Sequence, residues 1–97
     1  MENIIFIVDS KTFRKFLKKI IKKYQVNSWR SWYTFSIENN ELIVGECLLE
    51  VHTKQNSLQN EIELLSIKKM IKVLKVANQQ PIKVELSDHC FNLTCIF

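Results

Sequence analysis

The sequence predicts an α+β fold in which one supersecondary pattern is used twice. Three observations predict it. Two stretches carry apolar residues at helical spacing, the segments around them alternate apolar and polar residues as strands do, and the order of elements after residue 60 repeats the order before it. At 97 residues the chain can bury one core but not two, so a single domain over 1–97 is expected. The expected arrangement is an antiparallel sheet with two helices on one face, the duplicated unit being β-α-β-β with a further β in the first copy.

The elements follow from the residues in turn. NIIFIV at 3–8 is β-branched and aromatic and reads as a strand. Asp9 or Ser10 supplies an N-cap. Phe13, Phe16, Leu17, Ile20, Ile21 and Tyr24 then follow i, i+3, i+4, i+7, i+8, i+11, the stripe of an amphipathic helix. Gln25–Ser28 is a polar break. Tyr33, Phe35 and Ile37 alternate with Thr34 and Ser36 as a half-buried strand, and Glu38-Asn39-Asn40-Glu41 is a turn. LIVGECLLEVHT gives one long bent strand or two short ones, with Gly45 as the bulge or break. KQNSLQN at 54–60 reads as a polar loop.

In the second half, Glu61–Leu65 reads as a strand and Ser66 as the N-cap of a helix carrying Ile67, Met70, Ile71, Leu74 and Ala77 on one side. Asn78-Gln79-Gln80-Pro81 ends that helix. Ile82, Val84 and Leu86 alternate with Lys83 and Glu85. Ser87-Asp88-His89 turns the chain, and CFNLTCIF alternates again with Phe91, Leu93 and Phe97 on one side. This last stretch has no charged residue to blunt a sheet edge, so it is expected to pair with or pack against another chain.

The charge is segregated. SKTFRKFLKKIIKKY, residues 10–24, holds Lys11, Arg14, Lys15, Lys18, Lys19, Lys22 and Lys23 and no acid. The second helix adds Lys68, Lys69, Lys72 and Lys75, again with no acid. Eleven of the fourteen bases thus lie on the two helices, while the rest of the chain sets Arg30, Lys54 and Lys83 against all ten acids. The net charge of +4 hides +11 on the helices and −7 elsewhere. Lysine can also serve as a plain solvated, helix-favouring surface. Two acid-free helices in an otherwise acidic chain favour a polyanion, held through its phosphates. Base-specific readout is poorly provided for, since Arg14 is the one arginine on either helix and neither carries Asn or Gln.

Other features exclude more than they suggest. The sequence has no GxSxG, no P-loop, no paired-carboxylate constellation and no zinc-ligand spacing, so neither enzyme activity nor a cofactor or metal is expected. Ser10 and Ser66 read as caps, not nucleophiles. His52 and His89 read as surface or satisfied histidines. Cys47, Cys90 and Cys95 lack any CxxC pair and read as free thiols. Trp29 and Trp32, flanking Arg30, can stack on bases, plug the end of the core or meet a second subunit. MENIIFIVDSK lacks the basic start and small-residue cleavage site of a signal peptide, so a cytoplasmic location is expected.

The order of elements and the charge pattern together resemble one domain of a DNA sliding clamp, the processivity factor of replicative polymerases. NIIFIVDSKTFRKFLKKI resembles the opening strand and helix of such a domain, ENNELIVGE its outer hairpin, and EIELLSIKKMIKVLKVANQQPIKVELSDHCFNL its second unit. The resemblance implies that the helices line a positively charged inner face and the sheets an outer layer. It assigns the contact with the double-stranded DNA backbone to Lys11, Arg14, Lys15, Lys18, Lys19, Lys22 and Lys23, and to Lys68, Lys69, Lys72 and Lys75. A ring of this kind needs six domains and this chain supplies one. The resemblance therefore implies self-association into a ring or association with another clamp-like protein. The alternative is a small interaction module that binds or caps another replication protein without encircling DNA.

Overall fold

The computed structural model describes residues 2–24, 32–77, 80–87 and 90–96. The chain runs β1 (Ile4–Asp9), α1 (Ser10–Lys23), β2 (Trp32–Glu38), β3 (Glu41–Val44), β4 (Cys47–Glu50), β5 (Leu58–Glu63), α2 (Leu64–Lys75), β6 (Pro81–Leu86) and β7 (Phe91–Cys95). The polar break at 25–28, the Trp29–Arg30 pair, Asn78-Gln79, the Asp88-His89 turn and Phe97 lie outside the described residues.

The fold is α+β with antiparallel pairing throughout the named strands. The strands divide into two sheets instead of the single expected one, in the orders β1-β6-β7 and β4-β3-β2-β5. Local periodicity sets which face of a strand is buried but not which strand it pairs with. Here the first strand of each half joins the strand that follows the other half's helix, β1 with β6 and β5 with β2. Both sheets and both helices bury side chains in one apolar cluster, with α1 and α2 packed against each other. Phe6 and Phe13 meet edge to face at its centre, 5.5 Å between ring centroids.

Two joints tie the sheets together. Asn60 is buried on β5, and its Nδ2 donates to the carbonyl of Leu86 at 3.0 Å. The second joint closes the free side of β1. The Ile7 amide donates to the carbonyl of His52 at 2.8 Å, and the His52 amide donates back at 3.0 Å. Next to it the Thr53 hydroxyl donates to the Ile5 carbonyl at 2.6 Å. The Gln55 side chain then acts as a stand-in peptide, accepting from the Ile5 amide at 2.6 Å and donating to the Asn3 carbonyl at 2.8 Å. The outward backbone groups of β1 from the Asn3 carbonyl to Ile7 are thereby satisfied without a partner strand.

The turns show why their residues are there. Asn39 and Asn40 have φ of 51° and 61°, the left-handed pair that closes a two-residue hairpin. Gly45 has φ of 60° and opens the second tight turn, so LIVGECLLE is two short strands and not one bent strand. This turn rests on the end of α1. The Tyr24 hydroxyl accepts from the Glu46 amide at 2.8 Å, and the Tyr24 carbonyl accepts from the Tyr33 hydroxyl at 2.8 Å. Burial pushes the Tyr33 phenol above its ordinary value.

Both helix starts are informative. Asp9 caps α1, its carboxylate accepting from the Thr12 amide at 3.0 Å and the Thr12 hydroxyl at 3.1 Å. For α2 the expected cap at Ser66 is corrected. The helix begins at Leu64, with Glu63 in the cap position and no side-chain cap bond, so Ser66 falls inside the first turn. Likewise β5 starts at Leu58, inside the stretch expected to be loop. Its inward set is Leu58, Asn60 and Ile62, and the asparagine interrupts the apolar alternation that marks a strand.

Candidate polyanion-binding face

The basic face is built by the same stripe that builds the core. On α1, Phe13, Phe16, Leu17 and Ile20 are buried. The opposite side is then dictated by the 3.6-residue turn. Lys11, Lys15, Lys18 and Lys22 follow i, i+4, i+7, i+11, and all four are exposed, as is the flanking Lys19. On α2, Ile67, Met70 and Leu74 are buried and Lys68, Lys69, Lys72 and Lys75 are exposed. Neither helix has an acid in its first turn. Like charges at i,i+4 repel, each such pair costing an isolated helix about 0.2–0.5 kcal/mol. The fold carries this repulsion along the whole length of α1.

Two of the eleven expected residues differ from the rest. Arg14 is half-buried on the flank of α1, and its Nε lies buried with no hydrogen-bond partner among the described residues, so it stands apart from the exposed row. Lys23, at the C-terminal end of α1, reaches the β3–β4 turn and pairs with Glu46 at 2.9 Å. That hydrogen bond holds the Glu46 carboxyl below its ordinary value and the Lys23 ammonium above its own. Glu46 therefore adds stability that is present at neutral pH and lost as pH falls through its lowered value. Lys23 adds stability that is present below the ordinary lysine value and lost as pH rises through its raised one. Both groups lie in solvent, so the effect is small.

α2 is less purely cationic than its sequence suggested. Leu65, Val73 and Val76 are exposed on the same side as Lys69 and Lys72, Val76 at 81%. Five of the ten acids gather on one sheet. The four strands of the β4-β3-β2-β5 sheet contain Glu38, Glu41, Glu50, Glu61 and Glu63 and no base at all. Tyr33, Phe35, Ile37, Leu42 and Ile62 fill the inner face, so by strand parity these acids take the outer one. Glu41 lies directly opposite both Glu38 and Glu50. Helices without acids and a sheet without bases thus share one core.

Trp32 belongs to that outer face too. Because Tyr33 points inward, Trp32 points outward, opposite Glu63 and 45% exposed, and it does not plug the core. Cys47 is buried, whereas Cys90 and Cys95 are exposed free thiols. Among the described residues no group of three His, Cys, Asp or Glu side chains could hold a metal ion, and no helix is long and apolar enough to cross a membrane. No protein-family model matches the chain, and no curated protein or solved structure matches it either.

Proposed function

We propose that the chain is a clamp-like, sequence-independent binder of double-stranded DNA, in which α1 and α2 present lysine to the phosphate backbone. The observation that carries this reading is the segregation of charge onto opposite sides of one core. A polyanion relieves the repulsion along the helices, and the base-free β4-β3-β2-β5 sheet does not compete for it. The sheet pairing supports the clamp-like part. Exchanging the two halves of the chain maps β1-β6-β7 onto β5-β2-β3, as expected of a duplicated β-α-β-β unit whose copies trade first strands. No catalytic step is part of this proposal.

Duplex DNA titrated at increasing salt tests it. If about four lysines engage phosphates at once, log affinity should fall with log salt at a slope of roughly −3.5, with dissociation constants of roughly 10⁻⁴ to 10⁻⁶ M for the lone domain. Unrelated duplex sequences should give the same curve. A flat salt response leaves the lysines as a solvated surface.

Retention on DNA by such weak contacts requires assembly, and β7 is the element suited to it. Among the described residues it pairs with β6 alone, and it carries no charge. Leu93 packs partly against the core, so a lysine there would also disturb the fold. Asn92 is exposed on the outer face opposite Glu85 and is the cleaner position. Asn92→Lys should shift the assembled protein to a smaller species in light scattering coupled to size exclusion, with no loss of thermal stability. A protein that is monomeric before and after supports the second reading, a module that caps another replication protein.

A further inference from the structure

Outside the helices, the two described bases, Lys54 and Lys83, line one groove. It lies on the outer face of β1, over Ile5 and Ile7, with Asn40 and His52 also in its wall and a volume of about 670 Å³. No acid lines it. Its geometry follows from register. His52 lies opposite Ile7 on one side and Lys83 opposite Ile7 on the other, so the imidazole and the ammonium bracket a 39% exposed isoleucine across a single row. The nearest acid on β6, Glu85, accepts a hydrogen bond from Asn3 Nδ2 at 2.8 Å.

The wall is hydrogen-bonded to β1, but its recognition groups are unspent. Thr53 and Gln55 are committed to the β1 backbone, which fixes the path of the chain between them. By contrast, the side chains of Asn40, His52, Lys54 and Lys83 have no hydrogen bond or ion pair among the described residues. Two ammonium groups match the charge of a phosphate monoester better than that of a single carboxylate. An apolar floor in a groove of this size suits a ligand with a body, since small-molecule sites run about 300–1,000 Å³ and are largely apolar with a few placed polar groups.

We propose that this groove binds a small organic phosphate of nucleotide size, with the phosphate held by Lys54 and Lys83 and the body lying over Ile5 and Ile7. The site is separate from α1 and α2, so it stands or falls independently of DNA binding. AMP is a suitable probe, with adenosine and inorganic phosphate as its two halves, followed by amide chemical shifts. AMP should saturate at one site, shifting residues of β1 and 52–55. Lys54→Gln with Lys83→Gln should weaken it by about tenfold or more, as expected for the loss of two charged contacts. His52→Ala, which leaves the backbone bridge in place, should weaken it less. The helix variant Lys15→Glu, Lys19→Glu, Lys22→Glu, Lys72→Glu should leave AMP affinity unchanged. The proposal is overturned if AMP does not saturate, if adenosine binds as well as AMP, if inorganic phosphate alone binds as well as AMP, or if the helix variant abolishes the effect.

Discussion

Reversing Lys15, Lys19, Lys22 and Lys72 to glutamate is expected to abolish duplex DNA binding while leaving the protein at least as stable as before. All four side chains are exposed, so no core contact is lost. Binding at roughly 10⁻⁵ M should weaken by about a hundredfold or more, because each change removes a phosphate contact and adds a repulsive one. Stability should move the other way. The new carboxylates would sit three or four residues from Lys11, Lys18, Lys23, Lys68, Lys69 and Lys75, giving attractive pairs of about 0.2–0.5 kcal/mol each, and these outnumber the 15/19 and 19/22 pairs, which stay like-charged. A variant that melts higher yet no longer binds DNA is the signature of a surface kept cationic for a ligand. Reversing Lys54 and Lys83 provides the control, since those residues lie away from the helices and should leave DNA binding intact. Equal losses from both sets would refute a helix-borne interface.

The largest loss of stability from a single added methyl is expected at Gly45. Its φ of 60° costs an L residue about 1–2 kcal/mol. A Cβ there would also fall inside the van der Waals surface of Tyr24, 2.8 Å from Cζ and closer still to the hydroxyl oxygen. The side chain cannot simply withdraw, because its hydroxyl accepts a hydrogen bond from the Glu46 amide and its backbone caps α1. Gly45→Ala should therefore cost about 2–4 kcal/mol, the sum of backbone strain and overpacking, as measured by chemical denaturation. The two parts can be separated by repeating the change in a Tyr24→Ala background. The steric part should vanish there and the strain should remain. An equal cost in both backgrounds would mean that Tyr24 has no share in the effect.

Much of this architecture is legible in the sequence, and the limits are physical. The stripe from Phe13 to Ile20 could be read because it has a local period, and the lysine row is its complement. Strand faces were legible in the same way, down to the inward triplets Tyr33-Phe35-Ile37 and Ile82-Val84-Leu86. Asn60 hid the first half of β5, since a buried amide looks polar until its partner, the Leu86 carbonyl, is known. The start of α2 was hidden because Glu63 caps it by position alone. Thr53 reads as the end of a strand and Gln55 as loop filler, with Lys54 and Lys83 as scattered charge. Their significance depends on β1 lying between them, and sequence distance carries no information about that. The pairing of Lys23 with Glu46 was hidden for the same reason.

The side-chain closure of β1 has a consequence for how the molecule breathes. Separating β1 from β6 means breaking a ladder of six paired residues. Releasing its other side means breaking the Thr53 and Gln55 contacts and the His52 bridge, each bond with a net worth of about 0.5–1.5 kcal/mol. The amides of Ile5 and Ile7 should therefore exchange with solvent through a small local opening of residues 52–55, long before the sheet itself comes apart. That opening would transiently bare the edge of β1 and take away one wall of the groove, so a ligand that fills the groove and slow exchange at Ile5 and Ile7 would be two readings of one equilibrium.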